Sequence, residues 1–137
     1  MKVALVLSPF NQLASAGFTT RRVKRVYGYY MPLGIANLAA VLEQAGHAVA
    51  VLDPCPLQLT FAEITEWVKK ENPDVLGISA LTHVAKNGYE VAKMVKKEMP
   101  HLPIIMGGSH CTVFPEAAIQ ECLSLDATVV GEAEERI

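Results

Sequence analysis

The chain has 137 residues, half of them hydrophobic, which suits one domain with a sizeable core and leaves little room for two. A formal charge of −2 argues against a nucleic-acid partner, and no apolar run is long enough to span a bilayer. The opening MKVALVLSPF turns polar too soon for a secretory signal and reads as a buried strand over residues 2–8. Residues 9–31 form a long segment rich in Gly, Thr, Arg and Tyr. Residues 32–45 read as a helix: Pro32 suits a first turn, Ile35, Leu38, Ala39 and Leu42 fall at helical spacing, and Gly46 is a natural stop. A second buried strand is expected over 48–52, ended by Asp53 and two prolines. Thr60 opens a helix running to about residue 71, with Glu63 at capping-box spacing. Then come a strand over 74–79, a helix over 84–99 with Val91, Val95 and Met99 on one face, and a strand over 102–106. A shorter helix over 114–122 and a strand over 126–130 complete the pattern.

Strict alternation of strands and helices implies a parallel sheet with helices on both faces. Near-continuous apolar strands agree with burial on both sides. Five strands favour an α/β, flavodoxin-like (Rossmann-like) doubly wound sheet of order 2-1-3-4-5, whose ligand crevice lies beyond the carboxyl ends of strands one and three. The chain stops at residues 132–137, where a fifth helix should begin. The expectation is a single domain over residues 1–137, cut from a larger protein before that helix, with an uncovered apolar face beside strand one.

Strand three ends in Ser79-Ala-Leu81-Thr82-His83, strand four in Gly107-Gly108-Ser-His110, and strand five in Gly131-Glu132. Each has a plain structural reading. Ser79 can cap the following helix, paired glycines can make a tight turn, and His83 and His110 can be solvent-facing loop residues. His47 and His101 precede strands on the opposite edge and read as structural. Neither GxGxxG nor GxxxxGK[ST] is present, which disfavours a dinucleotide and excludes a P-loop. The run Arg21-Arg22-Val23-Lys24-Arg25 with Tyr27, Tyr29 and Tyr30 has the chemistry of an RNA contact, but such a run is more often a solvated loop. Cys55, Cys111 and Cys122 form neither a CxxC pair nor a metal spacing and read as reduced structural thiols of a cytoplasmic protein. A receiver-type signalling domain would need acidic residues where Ser8-Pro9 and Ser79 stand.

Taken together, these residues resemble the N-terminal cobalamin-binding domain of cobalamin-dependent radical SAM enzymes, over nearly the whole chain. The similarity lies in residues 32–40, 43–47 and 51–53, in Asp74-Val-Leu-Gly-Ile-Ser79, and in Pro103-Ile-Ile-Met-Gly-Gly-Ser-His110 with Pro115-Glu116. It continues in Asp126 to Glu132, with Glu134 extending a GEGE pattern in which Ala133 replaces the second glycine. Ser79-x-Leu81 and the glycine pair also match B12 proteins of the methionine synthase type, but their DxHxxG is missing, and no histidine stands between Ser8 and Met31.

The resemblance implies base-off cobalamin without a protein histidine on cobalt, the nucleotide tail entering between strands one and three. Ser79, Leu81, Thr82, Gly107, Gly108, His110, Gly131 and Glu132 are the implied cofactor contacts. Ser79 would hydrogen-bond the benzimidazole, and the glycines would leave room for the tail. No residue of this chain is expected to be catalytic or to bind metal. S-adenosylmethionine and a [4Fe–4S] cluster would belong to a radical SAM domain elsewhere in the parent chain, whose reaction would be methyl transfer or a related radical step. The rival reading is a degenerate flavodoxin-like docking domain that no longer binds cobalamin.

Overall fold

A computed structural model describes residues 1–10 and 32–135. The Arg- and Tyr-rich part of the 9–31 segment lies outside the described residues. Five parallel strands, β1 (Lys2–Leu7), β2 (Ala48–Leu52), β3 (Val75–Ser79), β4 (Ile104–Gly107) and β5 (Ala127–Thr128), pair in the order β2-β1-β3-β4-β5. This is the flavodoxin-like layout expected from the alternation. The helices are α1 (Leu33–Gln44), α2 (Phe61–Glu71), α3 (Ala85–Glu98), α4 (Ser109–Val113) and α5 (Pro115–Glu121), with 3₁₀ turns at Thr82–Val84 and Ala133–Glu135.

Local chemistry sets the boundaries. Thr60 accepts from the Glu63 amide while the Glu63 carboxylate accepts from the Thr60 amide, so the capping box closes at the start of α2. Gly46, with φ +86°, stops α1. The segment after β4 departs from expectation. The sequence suggested a turn and one helix; the structure has two short helices, α4 beginning directly at Ser109 and α5 at Pro115. Proline at 115 separates them, since it cannot donate within a continuing helix.

The two sheet faces differ. Ala4, Val6, Leu76, Ile78, Ile104 and Met106 point into a dense core closed by α2, α3, α4 and α5. Val3 and Leu5 point the other way, onto Ile35, Ala39 and Leu42 of α1. On that second face Val75, Gly77, Ser79, Ile105 and Gly107 are only half-buried. Strands three and four are therefore not sealed on both sides as their composition suggested. Strand two also departs from that reading: only Leu52 is buried, because β2 is the sheet edge.

At the amino edge Asp126 ties β4 to β5. Its Oδ2 accepts from Lys96 Nζ and from the Ile104 amide, both at 2.7 Å. The Lys96 bond, then the amide, hold this carboxyl below the ordinary carboxylate range. A depressed native value means stability that is present above the unfolded value and lost as pH falls through the folded one. Asp126→Asn is thus expected to lower Tm at pH 7 by about 1–3 °C, as befits a largely exposed pair. The difference should shrink towards pH 3; an equal deficit at pH 3 and pH 7 in thermal melts would mean that charge is not the cause.

Candidate cofactor cavity

A cavity of about 340 Å³ lies along the half-buried face, between the sheet and α1. It is at the lower end of the roughly 300–1,000 Å³ that suits small organic ligands. Ile35 and Leu38 of α1 form one wall; Val3, Leu5, Gly77 and Ile105 form the floor. Leu5 occupies the space over Gly77, where an added Cβ would stand 2.8 Å from Leu5 Cδ2. At the carboxyl ends of the strands, Ser79, Gly107, Gly108, Gly131 and Glu132 edge the cavity. These ends include the switch point between β1 and β3, where such sheets bind ligands.

The sequence-predicted residues divide into two groups. Ser79, Gly107, Gly108, Gly131 and Glu132 come together at the cavity. Leu81, about half-exposed, and Thr82 lie just beyond β3 but outside the cavity wall. His110 is not brought to it. It is buried at 8% exposure, and its Nε2 shares a 2.7 Å hydrogen bond with the Tyr89 hydroxyl. The reading of His110 as a solvent-facing loop residue is therefore corrected: the unforeseen helix α4 turns it inward. Burial pushes the Tyr89 phenol up to about 12, so the hydroxyl stays protonated. Burial likewise raises the Cys111 thiol to about 11, as befits a structural cysteine. Among the described residues no cluster of His, Cys, Asp or Glu could hold a metal ion. His83 is exposed beyond β3, its ring edge-on to Phe10 at 5.5 Å. His47 lines the amino end of the cavity, with a buried Nδ1 that has no hydrogen-bond partner among the described residues.

Backbone bonds lock the loops at the carboxyl edge to one another. The Ser8 amide donates to the Ser79 carbonyl (2.9 Å) and the Ala80 amide to the Gly107 carbonyl (3.0 Å). Thr112 Oγ1 donates to the Gly108 carbonyl and accepts from the Gly131 amide, both at 3.1 Å. The Ser8 hydroxyl, buried, donates to the Val84 carbonyl at 2.6 Å. Ser8, Tyr89 and Thr112 carry these links. Sequence reading did not single them out, because each sits on an element whose partner is distant in the chain.

This is a doubly wound α/β domain with a cavity that reaches the carboxyl edge of its sheet, beside the β1/β3 switch point. Residues 21–137 match the B12 binding domain family, and the chain belongs to it. An uncharacterised methyltransferase of Pyrococcus horikoshii is 38% identical over 135 residues, covering 98% of this chain and 27% of that protein. Cytidylyl-2-hydroxyethylphosphonate methyltransferase of Streptomyces wedmorensis is 31% identical over 121 residues, 75% of this chain and 22% of that enzyme. The anaerobic magnesium-protoporphyrin IX monomethyl ester cyclase of Rubrivivax gelatinosus is 26% identical over 111 residues, 80% of this chain and 20% of that enzyme. The chain thus spans about a quarter or less of the length of these relatives. Among the described residues no helix is long and apolar enough to cross a membrane.

The two glycines of the β4 loop have different constraints. Gly108 has φ +92°, and an added Cβ would stand 2.7 Å from the Ala80 carbonyl oxygen. At Gly107 an added Cβ would meet Val129 Cβ at an ordinary 3.7 Å. Gly108→Ala is expected to cost about 1–3 kcal/mol in urea unfolding, and Gly107→Ala less than about 1 kcal/mol. Equal losses in the two variants would contradict this division.

Proposed function

We propose that this domain binds cobalamin base-off, with the nucleotide tail in the cavity under α1 and no histidine of this chain on cobalt. The observation that carries the reading is the cavity itself, which brings Ser79 and Gly107 together at the sheet's switch point in a chain of the B12-binding family. The residues present fit such a tail. The walls are mostly apolar, as a flat heterocycle needs, and the half-buried Ser79 hydroxyl is not committed to any described residue. A side chain at Gly107 would stand beside Val129 and extend into the cavity that Gly107 lines.

On this reading Ser79 donates to a ring nitrogen of the benzimidazole. Gly107, Gly108, Gly131 and Glu132 shape the entrance, and Leu81 and Thr82 lie under the corrin. When bound, cobalamin supplies a cobalt centre able to take up and pass on a methyl group. The chain's own part is to orient it and to shield the tail from water. His110 has its Nε2 engaged by Tyr89, which supports the absence of a protein ligand on cobalt. The names of the relatives support a parent enzyme that works by methyl transfer or a related reaction. We assign it to the cobalamin-dependent radical SAM enzymes of the cytoplasm, with S-adenosylmethionine and the [4Fe–4S] cluster in another domain, and residues 1–137 as its cobalamin module.

Gel filtration after incubation with hydroxocobalamin should leave corrinoid on the protein, read by its visible spectrum. Electron paramagnetic resonance of the Co(II) form should show no nitrogen superhyperfine splitting. Gly107→Leu should keep a cooperative melt yet lower affinity at least about tenfold, because its side chain enters the tail's space. A folded wild-type chain that retains no corrinoid at micromolar concentration would leave the docking-domain reading in its place. A single-nitrogen splitting lost on His83→Ala would put that histidine on cobalt.

A further inference from the structure

The buried pair formed by Tyr89 and His110 lies outside the cavity, yet it is joined to the cavity's entrance. Tyr89, 4% exposed, comes from the interior of α3, whose neighbours Val91, Ala92 and Val95 are in the main core. His110 is the second residue of α4, a helix of only five residues. So short a helix has almost no stability of its own. Its N-cap is Gly108, which offers no side-chain cap. The position of α4 must therefore come from side chains that anchor it: Cys111, fully buried in the main core, and His110, whose bond to Tyr89 ties the helix to α3. The same residue reaches the cavity entrance through its backbone: the His110 amide donates to the Ala80 carbonyl at 3.2 Å. That carbonyl is the atom against which Gly108 packs.

We infer that the Tyr89–His110 hydrogen bond positions the cavity mouth, and that His110 is a positioning residue that does not touch the ligand. It holds α4 so that Gly107 and Gly108 keep their separation from Ser79 and Ala80. A histidine meant for a ligand would present a ring nitrogen to the cavity. Here Nε2 faces the phenol, while Nδ1 is buried with no hydrogen-bond partner among the described residues. Loss of the bond lets α4 leave its place in a fraction of molecules, and binding then has to draw on the remaining competent fraction. That the ligand is cobalamin rests on the reading given above; the crosslink itself does not.

The test compares the full wild-type chain with Tyr89→Phe, His110→Gln and His110→Leu, by amide hydrogen exchange and by hydroxocobalamin affinity. In Tyr89→Phe the Ala80 and His110 amides should lose nearly all their protection, with the Leu76 amide in the core little changed. Hydroxocobalamin affinity should fall by about three- to tenfold, the inverse of the closed fraction that remains. His110→Leu should behave the same way. His110→Gln, whose amide can still bond the Tyr89 hydroxyl, should stay within about twofold of wild type in both readouts. Unchanged exchange at Ala80 and His110 in Tyr89→Phe would overturn the inference, as would wild-type affinity in His110→Leu despite faster exchange. Loss of affinity in His110→Gln with exchange intact would overturn it too, by making His110 a ligand contact. If Tyr89→Phe does not fold, the His110→Gln and His110→Leu pair decides by the same criteria. If the wild-type chain binds no hydroxocobalamin, the cobalamin reading fails, and the exchange data still accept or reject the crosslink.

Discussion

The close approach of Gly108 to Ala80 sets the geometry of the whole carboxyl edge. A Cβ at position 108 would stand 2.7 Å from the Ala80 carbonyl oxygen and 3.0 Å from its nitrogen, so only glycine lets the β4 loop lie against the end of β3. With the two backbones in contact, the Ala80 amide reaches the Gly107 carbonyl and the His110 amide reaches the Ala80 carbonyl. Helix α4 then starts at once, and Thr112 on its far side takes the Gly131 amide. One steric exception at a single glycine thus couples the ends of β3, β4 and β5 into one surface. If that contact opened, the cavity would lose its rim.

Below this rim the two faces of the sheet carry unequal cover. Four helices fill the face of Ala4, Leu76 and Ile104, and its side chains approach complete burial. On the opposite face α1 covers β1 through Ile35, Ala39 and Leu42, Leu5 lies over Gly77, and β4 presents Ile105 and Gly107 to the cavity. Open along one side, this trough leaves its apolar walls without packing partners. An apolar trough is therefore a place where something else completes the packing. Gly107 deepens it from the floor, and the Asn37–Glu134 hydrogen bond (2.9 Å) brings the segment after β5 to its rim beside α1.

Much of this was legible in the residues. Helical spacing placed α1, the Thr60–Glu63 box placed α2, and alternation of strand and helix led to the order of the sheet. Ser79, Gly107 and Gly131 were marked because they end strands, and the cavity does collect them. What escaped depends on tertiary geometry. The segment at 109–113 is too short for periodicity to reveal a helix, so the inward turn of His110 could not be seen. Apolar composition in β3 and β4 suggested burial on both faces, yet one face borders a cavity, and composition does not distinguish a packed side from a vacant one. His47 looked like an ordinary residue at the amino edge. Only the packing of α1 over β1 brings its ring to the end of the trough.

The segment Gly107-Gly108-Ser109-His110 is best understood as three devices in series. Gly108 meets a backbone constraint, since its φ of +92° and the proximity of Ala80 would strain any other residue. Gly107 has no such constraint, and its lack of a side chain leaves space facing the cavity. His110 secures the helix that follows by reaching Tyr89 from the side away from the cavity. A motif that looks like a ligand grip, with two small residues and an imidazole, therefore has its polar member turned into the protein and its empty member turned outward. In a site for a flat heterocycle that division is physically sensible. On the proposed reading the slot needs room and a single hydrogen bond, which Ser79 can supply, while a second strong donor at the same wall would be desolvated without a partner when the ligand binds.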